Sequence, residues 1–316
     1  MLNLYRFRPR GRIALALLLT VLMGLTPVQA APQVVVSIKP LQELVGAVMD
    51  GVAEPRLLVP PGQSPHTWSL KPSDAAAVSG AGLVVWIGPG LETSLARALR
   101  GAPAGQPRLE VESLPGILLL PARVGGDWEK RRRDGVDDGQ GHAHGTSNAD
   151  PHLWLSPDNA RQIVAAVAQR LSELDEVNAV RYRANAARFT QELDTLDAQL
   201  KARLAPLADR PFIVFHDAYQ YFEKHYGLRA VGSVLVSPEQ MPGVRRVSEL
   251  RDKVRSLGAV CVFAEPQFPP ALVDTLIEGT PARRGTLDPL GMGLSGGYPA
   301  LLSQMGEDLA RCLEPK

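Results

Sequence analysis

The chain has only two cysteines, Cys261 and Cys312, among its 316 residues. Two thiolates are too few for a structural zinc cage built from cysteine, so any metal site has to use imidazole and carboxylate groups. In an oxidising compartment an even pair of cysteines predicts one disulfide, and two buried free thiols are the alternative.

Long hydrophobic runs are also missing beyond residue 30. A membrane-spanning helix needs about 20 apolar residues, and no later segment approaches that length. The N-terminus has the three parts of a secretory signal peptide: a basic region, an apolar region at 13–25 and the small-residue site Val28-Gln29-Ala30. We predict cleavage after Ala30. Because no cysteine stands at that site to accept lipid, the mature chain is expected to diffuse freely in the periplasm.

An excess of positive charge is missing as well. The signal carries four arginines and no acidic residue, so its removal turns 34 basic against 33 acidic residues into 30 against 33, a net charge of −3. A negative balance argues against nucleic acid as a partner. Removal of residues 1–30 leaves 286 of the 316 residues, which exceeds the usual size of one core and predicts two lobes.

Strand and helix patterns alternate along the mature chain, which predicts parallel sheets covered on both faces by helices. The predicted strands are 33–38, 56–59, 83–87, 212–215, 228–234, 260–264 and 284–287. The predicted helices among them are 43–49, 72–78, 219–225, 244–257 and 270–278.

The predicted organisation is an N-terminal lobe at 31–157, a helical region at 158–209 and a C-terminal lobe at 210–316. Ser156 is the expected N-cap of the first helix of the middle region, which runs to Leu174. A second helical pattern at 177–204 contains no glycine or proline. At about 1.5 Å per residue this helix would be about 42 Å long, enough to span both lobes.

The segment 127–148 has a different composition. It is rich in arginine, aspartate and glycine, with almost no aliphatic residue to bury, which predicts a mobile surface loop. Two of its residues, His142 and His144, form a His-x-His pair. The pair can hold a metal loosely as an auxiliary site, or both rings can simply be solvated.

Three other histidines stand in segments suited to one metal ion. They are His66 in Ser64-Pro65-His66-Thr67-Trp68, His152 in Asp150-Pro151-His152-Leu153-Trp154 and His216 in Val214-Phe215-His216-Asp217. Each follows an apolar run or a proline and precedes a helical stretch, which predicts strand-to-helix loops at one rim of an α/β structure. Asp288, before Pro289, lies in the same kind of turn. Taken singly, His66 could be a helix-entry cap, His152 a packed core residue and Asp288 an ordinary turn or N-cap residue.

These motifs resemble those of the metal-specific solute-binding proteins of ABC importers, the group that serves zinc, manganese and iron. The run from Leu57 to Trp68, followed by Lys71-Pro72-Ser73-Asp74, is similar to the first ligand loop of that family. The runs Asp150 to Pro157 and His216 to Phe222 are similar to its second and third ligand segments, and Cys261 to Phe268 and the Asp288 turn to its C-terminal lobe. The resemblance covers nearly all of the mature chain, in order.

The resemblance implies an α/β fold of two lobes, each with a mostly parallel four-stranded sheet flanked by helices, joined by one long helix. It implies a metal in the cleft between the lobes, held by His66 and His152 from the first lobe and by His216 and Asp288 from the second. Three imidazoles and one carboxylate suit four-coordinate Zn²⁺, whereas manganese or iron would favour a second carboxylate in place of His216. The implied partners of this monomer are the zinc ion and an inner-membrane permease with its ATPase.

Neighbouring groups complete the expected site. The ring nitrogen of a histidine that does not bind metal needs a hydrogen-bond acceptor, and Asp217, Glu265 and backbone carbonyl groups are the candidates. Glu265 is also an alternative ligand. His225, before Gly227, is interpreted as a helix-end or surface residue. Zinc-importing members of the family often carry a denser histidine-rich loop than 127–148, so the preference for zinc depends chiefly on His216.

Other function classes remain as alternatives. A manganese or iron carrier of the same family would differ in its ligand set. Three histidines and a carboxylate can also leave an open position for a zinc-activated water, as in hydrolases, although the chain has no His-Glu-x-x-His motif. A surface adhesin of the same fold is the third alternative, and the missing lipid-accepting cysteine argues against it.

Overall fold

The computed structural model describes residues 30–103, 105–123, 149–235, 243–256 and 258–315. The predicted signal peptide and the predicted loop at 127–148, with His142 and His144, lie outside these residues, apart from Ala30 itself. Within the described chain, no helix combines the length and the apolar character that a membrane crossing requires.

The first sheet has four parallel strands: β1 (Val34–Val36), β2 (Arg56–Leu57), β3 (Leu83–Trp86) and β4 (Arg108–Glu110). Their order is β2-β1-β3-β4. Helices α1 (Lys39–Met49), α2 (Pro72–Ser79) and α3 (Thr93–Arg100) connect them. The central strands β1 and β3 are entirely buried, as expected for valine-rich strands covered on both faces.

The second sheet repeats this topology with β5 (Phe212–Val214), β6 (Ala230–Ser233), β7 (Cys261–Ala264) and β8 (Arg283–Thr286), in the parallel order β6-β5-β7-β8. Its helices are α6 (Gln220–Tyr226), α7 (Val244–Ser256), α8 (Ala271–Ile277) and α9 (Gly297–Leu313). In each sheet the order in which successive parallel strands are added reverses between the two central strands, and the carboxyl ends of strands at such a point form a crevice for ligands.

Two helices connect the sheets. Helix α4 (Pro157–Leu174) begins at Ser156, whose Oγ accepts a hydrogen bond from the backbone N–H of Asn159, so the predicted N-cap is confirmed. Helix α5 (Ala179–Leu204) has 26 residues. The prediction of two four-stranded parallel sheets joined by one long helix is confirmed.

The long helix α5 contacts both halves of the molecule. Near its start, Asn185 Nδ2 donates to the carbonyl oxygens of Val48 and Asp50 at the end of α1. Near its end, Leu200 lies against Gly306 of α9, where a side-chain carbon on the glycine would come within 2.4 Å of the leucine. The glycine therefore allows α9 to pack closely on α5.

A disulfide joins the second sheet to the last helix. Cys261 at the start of β7 is bonded to Cys312 in α9, with 6.2 Å between their Cα atoms. The predicted disulfide is confirmed, and the alternative of two free thiols is wrong.

Candidate metal centre

Three histidines from distant parts of the chain meet in one place. His66 lies in the loop between β2 and α2, and His216 follows β5 and precedes α6, as predicted for strand-to-helix loops. His152 differs, because it follows an isolated bridge between Pro121 and Ala149 and leads through a short 3-10 turn into α4. His152 and His216 are buried, with 4% and 6% of their surface exposed, whereas His66 is half-buried.

The spacing of the ring nitrogens fits a tetrahedral metal ion. His152 Nε2 lies 3.1 Å from His66 Nε2 and 3.3 Å from His216 Nε2. One nitrogen from each ring lies within 4.8 Å of the other two. In a tetrahedral zinc shell with Zn–N bonds of about 2.0–2.1 Å, two nitrogens are about 3.3–3.4 Å apart. The imidazoles are therefore already close to the spacing that a shared zinc ion requires.

Two buried carboxylates orient two of these rings. Asp150 Oδ1 lies 2.7 Å from His152 Nδ1 and also accepts the backbone N–H of the same histidine. Glu265 Oε1 lies 2.8 Å from His216 Nδ1. Since an ionised carboxylate only accepts, each Nδ1 carries a proton, and each Nε2 presents a lone pair when its ring is neutral. In the neutral rings, the lone pairs of His152 Nε2 and His216 Nε2 would face each other across 3.3 Å and repel unless they share a cation.

The electrostatics of the cluster favour neutral rings at two positions. Burial, reinforced by the neighbouring histidines, lowers the pKa of His66 and of His152 well below 6.5. Burial also acts to lower the pKa of His216, but the charge and hydrogen bond of Glu265 outweigh it, and the pKa of His216 is raised. His66 and His152 thus offer free lone pairs at neutral pH, whereas His216 has to release a proton before it binds a metal.

The structure does not bring Asp288 into this cluster. Among the described residues the group of potential ligands consists of the three histidines. The Asp288 carboxylate instead organises the turn that follows β8. Its Oδ1 accepts from Gln267 Nε2 at 2.7 Å and from the backbone N–H of Leu290 at 3.0 Å. Its Oδ2 accepts from the backbone N–H of Met292.

The cavity around the histidines has apolar walls from both lobes, including Trp154, Phe268 and Leu290. Trp154 Nε1 donates to the carbonyl oxygen of Pro289 at 2.8 Å, and the Tyr298 hydroxyl donates to the carbonyl oxygen of Trp154. These bonds connect the segment that follows His152 to the turn that contains Asp288 and to the start of α9. The cavity is therefore formed by contacts between the two lobes.

The two predicted acceptors have different roles. Glu265 is the hydrogen-bond partner of His216, in agreement with its predicted role as an acceptor. Asp217 is instead paired with Arg123, which also binds Glu223 of α6. Burial raises the pKa of Asp217 to about 7, with Arg123 acting in the opposite direction.

Sequence reasoning missed the group that orients His152. Asp150 is held from the second lobe, because Gln220 Nε2 donates to its Oδ2 at 3.2 Å and the Tyr221 hydroxyl donates to its carbonyl oxygen at 2.8 Å. Burial raises the pKa of Asp150 to about 7. The position of Asp150, two residues before His152, was the available signal for its role.

His225 is neither a free surface residue nor part of the metal cluster. Its Nε2 lies 2.7 Å from Asp197 Oδ1 on α5, and its Nδ1 lies 3.4 Å from Asp158 on α4. The ring therefore ties the end of α6 to the two connecting helices. The predicted helix-end position is confirmed, and the alternative of a surface residue is wrong.

Comparison with known proteins places the chain in a family of metal-uptake proteins. The family described as "Zinc-uptake complex component A periplasmic" matches residues 34–312. The high-affinity zinc uptake system protein ZnuA of Brucella abortus (strain 2308) is 41% identical over 304 residues, covering 89% of this chain and 91% of the relative.

Two solved structures are similar in fold. One, described as the crystal structure of ZnuA, has a TM-score of 0.75 and 28% identity, covering 90% of this chain and 100% of that one. A zinc-bound ZnuA with residues 138–173 deleted has a TM-score of 0.73 and 29% identity, covering 90% of this chain and 99% of that one. The chain belongs to the family of the periplasmic zinc-uptake component A.

Proposed function

We propose that this protein binds Zn²⁺ between its two lobes and delivers it to an inner-membrane permease that an ATPase drives. The observation that carries the proposal is the convergence of His66, His152 and His216. Their ligand nitrogens lie within 4.8 Å of one another, and His152 Nε2 is 3.1 Å from His66 Nε2 and 3.3 Å from His216 Nε2, close to the spacing in a tetrahedral zinc shell. The relatives named as high-affinity zinc uptake proteins support zinc as the cargo.

Asp288 is the proposed fourth ligand. Its carboxylate lies in the turn that contributes Pro289 and Leu290 to the wall of the histidine cavity. To reach the metal, one of its oxygens has to turn toward the cavity. Three imidazoles and one carboxylate would then form a closed, four-coordinate shell.

The donor set favours zinc over manganese or iron. Imidazole suits zinc, whereas manganese prefers carboxylate and carbonyl oxygens and a larger coordination number. His216 is the position at which a carboxylate would change this preference. Its orientation by Glu265 supports a role as a nitrogen ligand.

Binding rather than catalysis is the proposed activity. A shell of four protein ligands leaves no position for an activated water. Glu265, the carboxylate nearest His216, is engaged with the ring Nδ1. The segment Gly293-Leu294-Ser295-Gly296-Gly297 fits a Gly-x-Ser-x-Gly pattern. It runs from the loop into the first residue of α9, and the preceding strand β8 already ends at Thr286, so it is not a direct turn from strand to helix.

The proposed setting is the periplasm, reached through a signal peptide cut after Ala30, with the mature protein acting as a monomer. The periplasmic description of the family supports the export of the chain. His142 and His144 are proposed as an auxiliary, weaker site.

The decisive experiment is competitive calorimetry of metal-stripped residues 31–316 with Zn²⁺ and Mn²⁺. We expect one tight zinc site that is preferred over manganese. His216→Ala should weaken zinc binding by more than the roughly 10–100-fold that loss of an outer hydrogen-bond partner costs. His225→Ala, a histidine outside the cluster, is the matched control and should keep the tight site. A preference for manganese, or indifference to His216→Ala, would show that the metal or the ligands are wrong.

A further inference from the structure

The turn that follows β7 contacts both His216 and Asp288, the two proposed ligands from the second lobe. The backbone N–H of Phe268 donates to the carbonyl oxygen of Glu265 at 3.1 Å, which closes the turn. The Phe268 ring stacks on Phe215, the residue before His216, with 4.7 Å between the ring centroids. Glu265 orients His216 from this turn, and Gln267, two residues later, contacts Asp288.

The side-chain amide of Gln267 stands between Asp288 and the histidine cavity. Its Nε2 donates to Asp288 Oδ1 at 2.7 Å. Its Oε1 is shielded from solvent and has no hydrogen-bond partner among the described residues. The side chain also lines the cavity that holds His66, His152 and His216. The amide can therefore restrain the Asp288 carboxylate at the edge of the histidine cavity.

The hydrogen bonds of Asp288 distinguish its two oxygens. Each carboxylate oxygen can accept about two hydrogen bonds. Oδ1 accepts two, from Gln267 Nε2 and from the backbone N–H of Leu290. Oδ2 accepts one, from the backbone N–H of Met292. Oδ2 thus keeps a lone pair, whereas Gln267 takes the last acceptor position on Oδ1.

We propose that Gln267 is a positioning residue that makes Asp288 a one-oxygen ligand and so sets the preference for zinc. With Oδ1 held by Gln267, only Oδ2 is available to the metal, and the shell closes at four ligands. A carboxylate free to bind through both oxygens would raise the coordination number, which suits manganese better than zinc. The inference rests on the proposed role of Asp288 as the fourth ligand.

The test substitutes Gln267→Met, which keeps the chain length and removes both hydrogen-bonding groups. Metal-stripped residues 31–316 are titrated with Zn²⁺ and Mn²⁺ in competition. We expect zinc affinity to fall about 10–100-fold, the usual effect of losing an outer partner of a ligand. The zinc-to-manganese affinity ratio should fall at least about tenfold. The absorption bands of bound Co²⁺ should weaken as its coordination number rises above four. Gln304→Met removes a similar glutamine–aspartate bond on the exposed face of α9, to Asp308, and should change none of these.

A double-mutant cycle separates this inference from the proposed function. In an Asp288→Asn background, Gln267→Met should have no further effect on the metal preference. An equal effect in both backgrounds, or an unchanged zinc-to-manganese ratio in Gln267→Met alone, would overturn the inference. If Asp288→Asn leaves zinc affinity unchanged while His216→Ala abolishes tight binding, the three-histidine site stands and the inference fails. Gln267→Glu, which cannot donate to Asp288 when ionised, provides a second variant with the same expected direction.

Discussion

At the scale of single residues, two buried carboxylates determine which ring nitrogen of His152 and of His216 faces the proposed metal site. Asp150 and Glu265 accept from the Nδ1 atoms of His152 and His216, so both Nε2 atoms point into the cavity. The ring of an unsupported histidine can rotate and change tautomer, which costs free energy when a metal is bound. The affinity of the site therefore depends on residues that do not touch the metal.

Asp150→Asn should weaken zinc binding about 10–100-fold without removing a ligand, because the amide cannot replace the charge that stabilises the His152 Nδ1–H. Calorimetry with a competing chelator measures the change. Asp158→Asn, on the exposed side of α4 beside Arg161, is the control and should leave affinity unchanged. Equal affinity of Asp150→Asn and the wild type would contradict the orienting role.

Zinc affinity should weaken as the pH falls through neutrality, with a slope set by one or two protons. The pKa of His216 is raised above 6.5, so its proton has to leave when zinc binds. The pKa of Asp150 is raised to about 7, which allows a second proton to be released. His66 and His152 have lowered pKa values and are already neutral, so they add nothing near pH 7.

The measurement is the slope of log affinity against pH between 6 and 7.5, together with the proton release seen by calorimetry in buffers of different ionisation enthalpy. A slope between one and two is expected. A slope of three would mean that all the rings start protonated, and a slope of zero would mean that none does.

At the scale of elements, helix α5 packs against both lobes. Its buried positions recur at spacings of three and four residues, from Tyr182 through Phe189 and Leu193 to Leu200 and Leu204. Its first half is bonded to α1 through Asn185, and its second half packs on α9 at Gly306. Damage to its buried face should therefore lower the stability of the whole molecule.

Leu193→Ala should lower the free energy of unfolding by about 2–5 kcal/mol, because Leu193 is fully buried near the middle of α5 and its loss leaves a cavity. Urea denaturation of the metal-free protein, followed by circular dichroism, measures the change. Gln199→Ala, on the exposed face of the same helix, should have an effect within about 0.5 kcal/mol. Similar losses for both variants would contradict the expectation that the buried packing of Leu193 determines the effect.

The elements that sequence reasoning found share strong periodic patterns. Strands β1, β3, β5 and β7 are runs of buried apolar residues, and α5 has no glycine or proline to interrupt it. Strand β4 was missed because Arg108–Glu110 is short, polar and at a sheet edge. Helix α9 was missed because Gly297, Pro299 and Gly306 weaken its helical pattern, although packing on α5 holds it.

At the scale of the whole molecule, the disulfide ties the last helix to the second sheet. Cys261 and Cys312 are 51 residues apart, so the loop-entropy model assigns the bond about 4 kcal/mol of stability. The paired variant Cys261→Ala/Cys312→Ala should lose a similar amount in chemical denaturation at 25 °C. We expect the zinc affinity of the folded variant to remain close to that of the wild type, because neither cysteine belongs to the histidine cluster.

The matching control is the wild type treated with a reductant strong enough to open the bond, which should show the same loss. An unchanged free energy of unfolding would contradict the expectation. It would mean that residual structure already restricts the reduced, unfolded chain, so that the bond removes little further entropy from it.

The amino-acid sequence by itself determined the lobed α/β architecture, the long connecting helix and the three histidines of the site, because strong periodicity and short local motifs encode these features. Only the tertiary structure decided the environment of the ligands. Asp150 is held by a helix from the other lobe, Asp217 is paired with Arg123, and the Asp288 carboxylate is shared between Gln267 and a backbone turn. These partners are far apart along the chain, and no local pattern specifies which distant donor a buried carboxylate meets.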